Sequence, residues 1–194
     1  MPVSVGVILS SVREVRKGEA FATWIYNLLA ARADVKPDLL DLKEFVFPGY
    51  PAAESAAMAE KKYAEGSLEQ RWRDRVAALD SFVIVTPEYS HGYPGALKNA
   101  LDHIYAGWNY KPVGFVSYGF SASGARAVEQ LRLVAVELRM IPIRDEVNLP
   151  MLTLATDDRG QPSDAFYQKR AALMIDELLW WTRMAKDGRE RHPR

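Results

Sequence analysis

The stretch Ser81-Phe82-Val83-Ile84-Val85-Thr86-Pro87-Glu88-Tyr89-Ser90-His91-Gly92-Tyr93-Pro94-Gly95-Ala96-Leu97-Lys98-Asn99-Ala100-Leu101-Asp102 changes character twice along its length. Residues 81 to 86 form an apolar, β-branched run too short for a helix to overcome its own nucleation, so they read as a buried strand. Residues 86 to 95 are dense in turn formers. Pro94 suits a first helical turn, and Leu97, Leu101, Ile104 and Tyr105 then recur at the spacing of one helix face. Strand, loop and helix in that order form the repeating unit of a parallel α/β sheet.

Working outward, similar runs occupy residues 3 to 9 and 112 to 117, with weaker ones at about 37 to 42 and 141 to 147. Between them lie helical patterns carried by Phe21, Trp24, Ile25 and Leu28, and by Val128, Leu131, Ala135 and Leu138. Ser67 with Gln70 makes a capping box ahead of Trp72, Val76 and Leu79. A last helix is predicted over about 163 to 185, with Phe166, Leu173, Leu178, Leu179 and Trp181 among its apolar positions. There is no repeat or linker, so residues 1 to 185 read as one domain and the charged end, 186 to 194, as a flexible tail. Five strands with helices on both faces predict a doubly wound parallel sheet, whose ligands bind beyond the carboxyl ends of the strands. The loops after residues 9, 86 and 117 are therefore where function is sought.

Composition narrows what those loops can do. The 194 residues, 48% hydrophobic, are enough for one continuous core. Basic and acidic residues balance at 25 each, so no overall field points to nucleic acid or to an anionic membrane as partner. With no cysteine there is no disulfide framework, thiolate metal site or thiol nucleophile, and redox chemistry would need a cofactor. Residues 1 to 9 lack the basic head and length of a signal peptide and no later stretch approaches a membrane span, which makes the cytoplasm the expected location.

The first loop, Ser10-Ser11-Val12-Arg13-Glu14-Val15-Arg16, runs into a helix starting near Gly18 or Glu19. Unpaired N–H groups and the positive helix end there face the same space as two serines and two arginines, which suits an anion. Ser11, Arg13 and Arg16 are candidate donors, and Gly18 would permit close backbone approach. Taken alone, the loop reads equally well as a solvated basic turn whose serine caps the helix.

The second loop carries two tyrosines between Pro87 and Pro94 and suits a planar aromatic ligand, or is simply a strand-to-helix turn. His91 lacks the neighbouring ligands that a metal needs, and His103 reads as a surface or packing residue. The third loop, Ser117 to Gly124, is rich in small residues. It fails as a nucleophile elbow: Gly119-Phe120-Ser121-Ala122-Ser123 lacks the second glycine, and the only later histidine is His192.

Taken together, the loops resemble the NAD(P)H-dependent FMN reductase family, a flavodoxin-like group that includes quinone, azo and chromate reductases. Pro87 through Asp102 is close to the family's PEYNxGxPGxLKNxLD pattern, and residues 10 to 16 resemble its GSxRxxR start. Lys111 through Gly119 and Arg126 through Arg132 look like its later segment, and the likeness covers most of residues 3 to 149. Ser10 stands where the family has glycine and Ser90 where it has asparagine.

The resemblance implies a flavodoxin-like three-layer α/β/α sandwich with strand order 2-1-3-4-5. It implies that Ser11, Arg13 and Arg16 bind the FMN phosphate, with Gly18 behind them. Pro87, Glu88, Tyr89 and Ser90 would line ribityl and ring, while Ser117, Tyr118 and Gly119 face the isoalloxazine. Chemistry would sit on flavin N5, with no catalytic side chain and no metal. Amides near 88 to 90 and 117 to 119 would meet the charge that grows on the ring. NADPH or NADH is the expected co-substrate, a small molecule such as a quinone, azo compound or free flavin the acceptor, and a homodimer or homotetramer the assembly. Trp108, Tyr105 and residues 45 to 51 are candidates for its wall or interface, or for core packing. An electron-transfer flavodoxin is the alternative on the same fold, disfavoured by the neutral charge and the arginines; a flavin-free binding module is another.

Overall fold

A computed structural model describes residues 2–192. Its elements run β1 (Val3–Leu9), α1 (Gly18–Ala30), β2 (Val35–Asp41), α2 (Ala56–Ala59), α3 (Leu68–Ala77), β3 (Ser81–Pro87), α4 (Gly95–Asp102), β4 (Pro112–Gly119), α5 (Ala125–Glu137), β5 (Ile141–Pro150) and α6 (Ala165–Arg191). The strands form one parallel sheet in the order β2-β1-β3-β4-β5, the flavodoxin-like order, with helices on both faces. All five expected strands are present, three of them one to three residues longer and β2 starting two residues earlier.

The alternation of side chains along the strands builds two cores. Val83 and Val85 of β3 join Phe21, Ile25 and Leu29 of α1 and Met174, Ile175 and Leu178 of α6. Phe82 and Ile84 face the other way, against Trp72 and Val76 of α3, Leu97 and Leu101 of α4, and Val128 and Leu131 of α5. Because both faces are covered, the central strands are continuously apolar, the feature that made residues 81 to 86 legible.

Several local expectations shift for identifiable reasons. Helix α4 stops at Asp102, short of Ile104 and Tyr105. The buried Glu60 carboxylate accepts from the backbone N–H of Tyr105 (2.8 Å) and Ala106 (3.0 Å), taking donors that a longer helix would use. Pro94 is the N-cap rather than a first-turn residue. Ser67 Oγ accepts from Gln70 N as the capping box requires, but Gln70 Oε1 accepts from Gly66 N instead of closing on Ser67. Trp108, Phe45 and Phe47 are core, clustered around Trp72, and His103 is a packing residue stacked on Phe47 at 4.3 Å.

The expected flexible tail is corrected. Helix α6 continues to Arg191, and Asp80 holds its last turns through Lys186 (2.9 Å) and Arg189 (3.2 Å), while Arg189 also donates to the Tyr110 carbonyl. Paired charges turn a polar end into an anchored helix. Met1, and Pro193 and Arg194 of that tail, lie outside the described residues.

Candidate active site

At the carboxyl ends of the strands, the three loops enclose a cleft of about 380 Å³. Its walls include Ser11, Arg13, Arg16, Pro87, Glu88, Tyr89, Ser90, Tyr118 and Gly119, nine of the residues singled out from sequence. Val15, Lys17, Phe120 and Met151 complete it. Two larger cavities of about 610 Å³ lie at the opposite, amino ends of the strands, beside Ile141 and Arg189 and beside Val3 and Asp34. Topology favours the smaller cleft, since parallel strands and their following helices direct loops and helix N-termini to the carboxyl side.

The first loop leaves its backbone donors after Ser10 unengaged. Among the described residues, no backbone N–H from Ser11 through Lys17 has a protein acceptor, whereas Ser10 N–H is bonded to the Val85 carbonyl. Seven consecutive unengaged amides before a helix suit a phosphate group. Ser10 Oγ is buried without a partner and Ser11 Oγ is bonded to Tyr89 OH at 2.9 Å. Arg13 lies over the Tyr89 ring at 4.0 Å, exposed, and its guanidinium has no ion pair among the described residues. The residues fit an FMN phosphate.

Arg16 lines the cleft but is held by a partner that the sequence did not reveal. Its side chain is 5% exposed and its guanidinium is engaged twice by Asp41, once at 2.7 Å, and donates to the Ser11 carbonyl at 2.8 Å. The Asp41 bond is the main cause holding the guanidinium above its usual range. Burial would raise the Asp41 carboxyl, but Arg16 and the Lys43 N–H outweigh it and hold the group below the usual carboxylate range. Arg16 therefore shapes the loop, leaving Arg13 as its free cation. Asp41 was missed because its signal is pairing: in the parallel ladder it lies beside Leu9, where the loop begins.

Gly18 and Ser117 do not line the cleft. A Cβ on Gly18 would sit 2.5 Å from the Tyr118 hydroxyl, so the glycine makes room for a side chain rather than for a ligand. Tyr118 turns its ring inward against Phe21, 5.2 Å between centroids, and burial pushes its phenol above the usual tyrosine range. Ser117 Oγ is buried, donating to the Ser123 carbonyl and accepting from Asn148 Nδ2, both at 3.0 Å. Of Ser117, Tyr118 and Gly119, the last two keep a place in the wall.

The second loop closes as a tight turn in which Tyr89 and Gly92 exchange backbone bonds of 2.8 and 3.0 Å. Ser90 and His91 both have positive φ, 50° and 67°, as the two central residues of a primed turn require. Glu88 N–H is bonded to the Tyr118 carbonyl and Tyr89 N–H to Gly92, which leaves Ser90 as the unengaged amide of the three among the described residues. His91 meets Arg126 rather than any metal-ligand cluster.

Fold and cleft together define a flavodoxin-like protein with a cofactor-sized site at the switch of its sheet. The family pattern of NADPH-dependent FMN reductases matches residues 3–153. The chain is 36% identical over 156 residues to an NAD(P)H-dependent FMN reductase of Schizosaccharomyces pombe, covering 78% of this chain and 73% of that one. It is 30% identical over 191 residues to the NAD(P)H-dependent FMN reductase LOT6 of Saccharomyces cerevisiae, covering 93% and 99%. In fold it is similar to the flavoenzyme NAD(P)H:(acceptor) oxidoreductase FerB of Paracoccus denitrificans, with a TM-score of 0.77 at 20% identity over 94% of this chain and 98% of that one. The chain belongs to the NADPH-dependent FMN reductase family, and with it to the FMN-dependent oxidoreductases that use NAD(P)H.

Proposed function

We propose that the cleft holds FMN with its phosphate on the amides of residues 11 to 17, Ser11 and Arg13, and that the enzyme passes reducing equivalents from NADPH or NADH to small planar acceptors such as quinones, azo compounds or free flavin. The row of seven unengaged amides beside an exposed arginine is the observation that carries this reading. When bound, FMN supplies the redox chemistry, taking hydride from nicotinamide and releasing electrons to the acceptor. The chain's part is to bind, orient and shield. Pro87, Glu88, Tyr89 and Ser90 form one wall and Gly119, Phe120 and Met151 the other. Ser90 N–H, the unengaged amide of the first wall among the described residues, would be its donor to the ring.

Phe120 (71% exposed) and Val15 (91%), which both line the cleft, add an apolar rim, which supports both planar substrates and self-association as a homodimer or homotetramer. Among the described residues no helix is long and apolar enough to cross a membrane, and the cytoplasm is the location proposed for the activity.

The test is a visible spectrum and FMN titration of purified protein, followed by NADH and NADPH oxidation with a quinone, an azo dye and free FMN. Bound flavin and turnover support the proposal. Flavin binding with negligible NAD(P)H oxidation would indicate an electron carrier. Colourless protein without any heat-stability gain in excess FMN would indicate a flavin-free module, since a ligand at about 100 times its Kd stabilises by roughly 2.7 kcal/mol.

A further inference from the structure

One guanidinium joins the loops that form opposite walls of the cleft. Arg126 stands in the first turn of α5. Its Nε and Nη2 hold Glu88 Oε1 at 2.7 and 2.6 Å, and its own backbone N–H reaches Glu88 Oε2 at 3.3 Å. Nη1 lies 2.8 Å from His91 Nε2, and Nη2 donates to Ser121 Oγ at 2.8 Å. Arginine can only donate, so His91 Nε2 is the acceptor of that bond. Glu88 and His91 bracket Tyr89 and Ser90 in the wall after β3; Ser121 follows Phe120 in the wall after β4.

Two physical features make this clamp more than a surface pair. The Glu88 side chain is 7% exposed, and a buried carboxylate persists only when paired and hydrogen bonded. The turn between the two gripped residues holds Ser90 and His91 in left-handed backbone, a conformation that lasts only where the surroundings over-determine it. Arg126 is not itself part of the cleft lining. We infer that Arg126 is a positioning residue that sets the spacing and orientation of the two walls, acting through Glu88, His91 and Ser121, for the redox reaction of the site proposed above. The inference rests on that FMN reading.

The test uses the full chain with FMN. Arg126→Lys keeps a cation near Glu88 but cannot span three partners. Ser121→Ala leaves the Glu88 pair whole and removes only the tether to the second wall. FMN affinity is measured by titration, then kcat and KM for NADPH oxidation at saturating FMN with a quinone acceptor. Arg126→Lys is expected to lose about 10- to 100-fold in kcat, the scale of small misplacements of reactants, with altered circular dichroism of the bound flavin. Ser121→Ala should reproduce part of that loss, and does so independently if the lysine variant fails to fold. Flavin-loaded variants with wild-type kcat and flavin spectrum would overturn the clamp alone. Wild-type protein that binds no FMN would overturn the reading beneath it.

Discussion

Arg16 and Asp41 form a two-pronged ion pair that joins the loop of residues 10 to 16 to the carboxyl end of β2, while the same guanidinium donates to the Ser11 carbonyl. Lys43 reinforces the joint, its Nζ donating to the Glu14 carbonyl at 3.2 Å. Asp41→Asn removes the charge partner and should destabilise the protein by about 2 kcal/mol, the scale of a charge-assisted bond. Because the folded-state Asp41 carboxyl is depressed, its contribution is present above the ordinary carboxylate range and is lost as pH falls through the lowered value. Denaturation midpoints of wild type and variant should therefore converge in acid; a constant difference across that range would exclude the pair as the cause.

Arg13, by contrast, is exposed and rests on the Tyr89 ring. Arg13→Ala should weaken FMN binding by about 1.5 to 3 kcal/mol, the range for a hydrogen bond to a charged group, with little change in the melting temperature of the flavin-free protein. Titration and melting read the two effects separately. Unchanged affinity would remove Arg13 from the site.

Gly18→Ala places a methyl group against the Tyr118 hydroxyl, where 2.5 Å is available. The substitution should destabilise by about 1 to 3 kcal/mol despite alanine's better helix propensity, as overpacking does. Tyr118→Phe removes the clashing oxygen, so the double variant should recover much of that loss in a double-mutant cycle. Strict additivity would show that the hydroxyl is not what excludes the side chain.

Ser90 occupies left-handed backbone with φ of 50°. Asparagine adopts that region more readily, so Ser90→Asn should raise stability by about 0.5 kcal/mol, whereas Ser90→Val should cost about 1 to 2 kcal/mol. Melting of the flavin-free protein separates this backbone effect from any change at the ligand. Equal stability of all three would argue against strain in the turn.

Lys111 is buried, its Nζ donating to the Val76 and Ala77 carbonyls at the end of α3 at 2.9 and 3.0 Å. Burial, helped by nearby Arg189 and opposed by Asp80, lowers its pKa from 10.5 to about 7. Between those values the unfolded chain binds a proton that the folded chain does not, so stability rises with pH across that window. Below it the folded state bears the full penalty of burying the charge. The melting temperature of wild type relative to Lys111→Met should increase from pH 7 toward 10.5; a fall would reverse the assignment.

Much of this was legible in the chain because local signals agreed with the fold. Residues 81 to 86 and 112 to 117 are mostly apolar and buried at every position since both sheet faces are covered, and the helix periods of 21 to 28 and 128 to 138 match the faces they bury. The turn chemistry of residues 86 to 95 placed one wall of the cleft. The Asp41 partner of Arg16 was not legible because sequence shows that a cation is present but not where its partner stands: Asp41 is 25 residues away and meets it through the parallel pairing of β1 and β2. The helix from 186 to 191 was missed for the same reason, its anchor Asp80 lying 106 residues before Lys186.

The loop after β1 shows the division most clearly. From sequence alone came its position after the first strand, its serines and arginines and the helix behind it, since these depend on local pattern and topology. Which arginine is free and which is locked, and why Gly18 is a glycine, depended on contacts between residues far apart in the chain. Those partners are chosen when the sheet assembles, and long-range pairing of charge and shape leaves no local trace in the sequence.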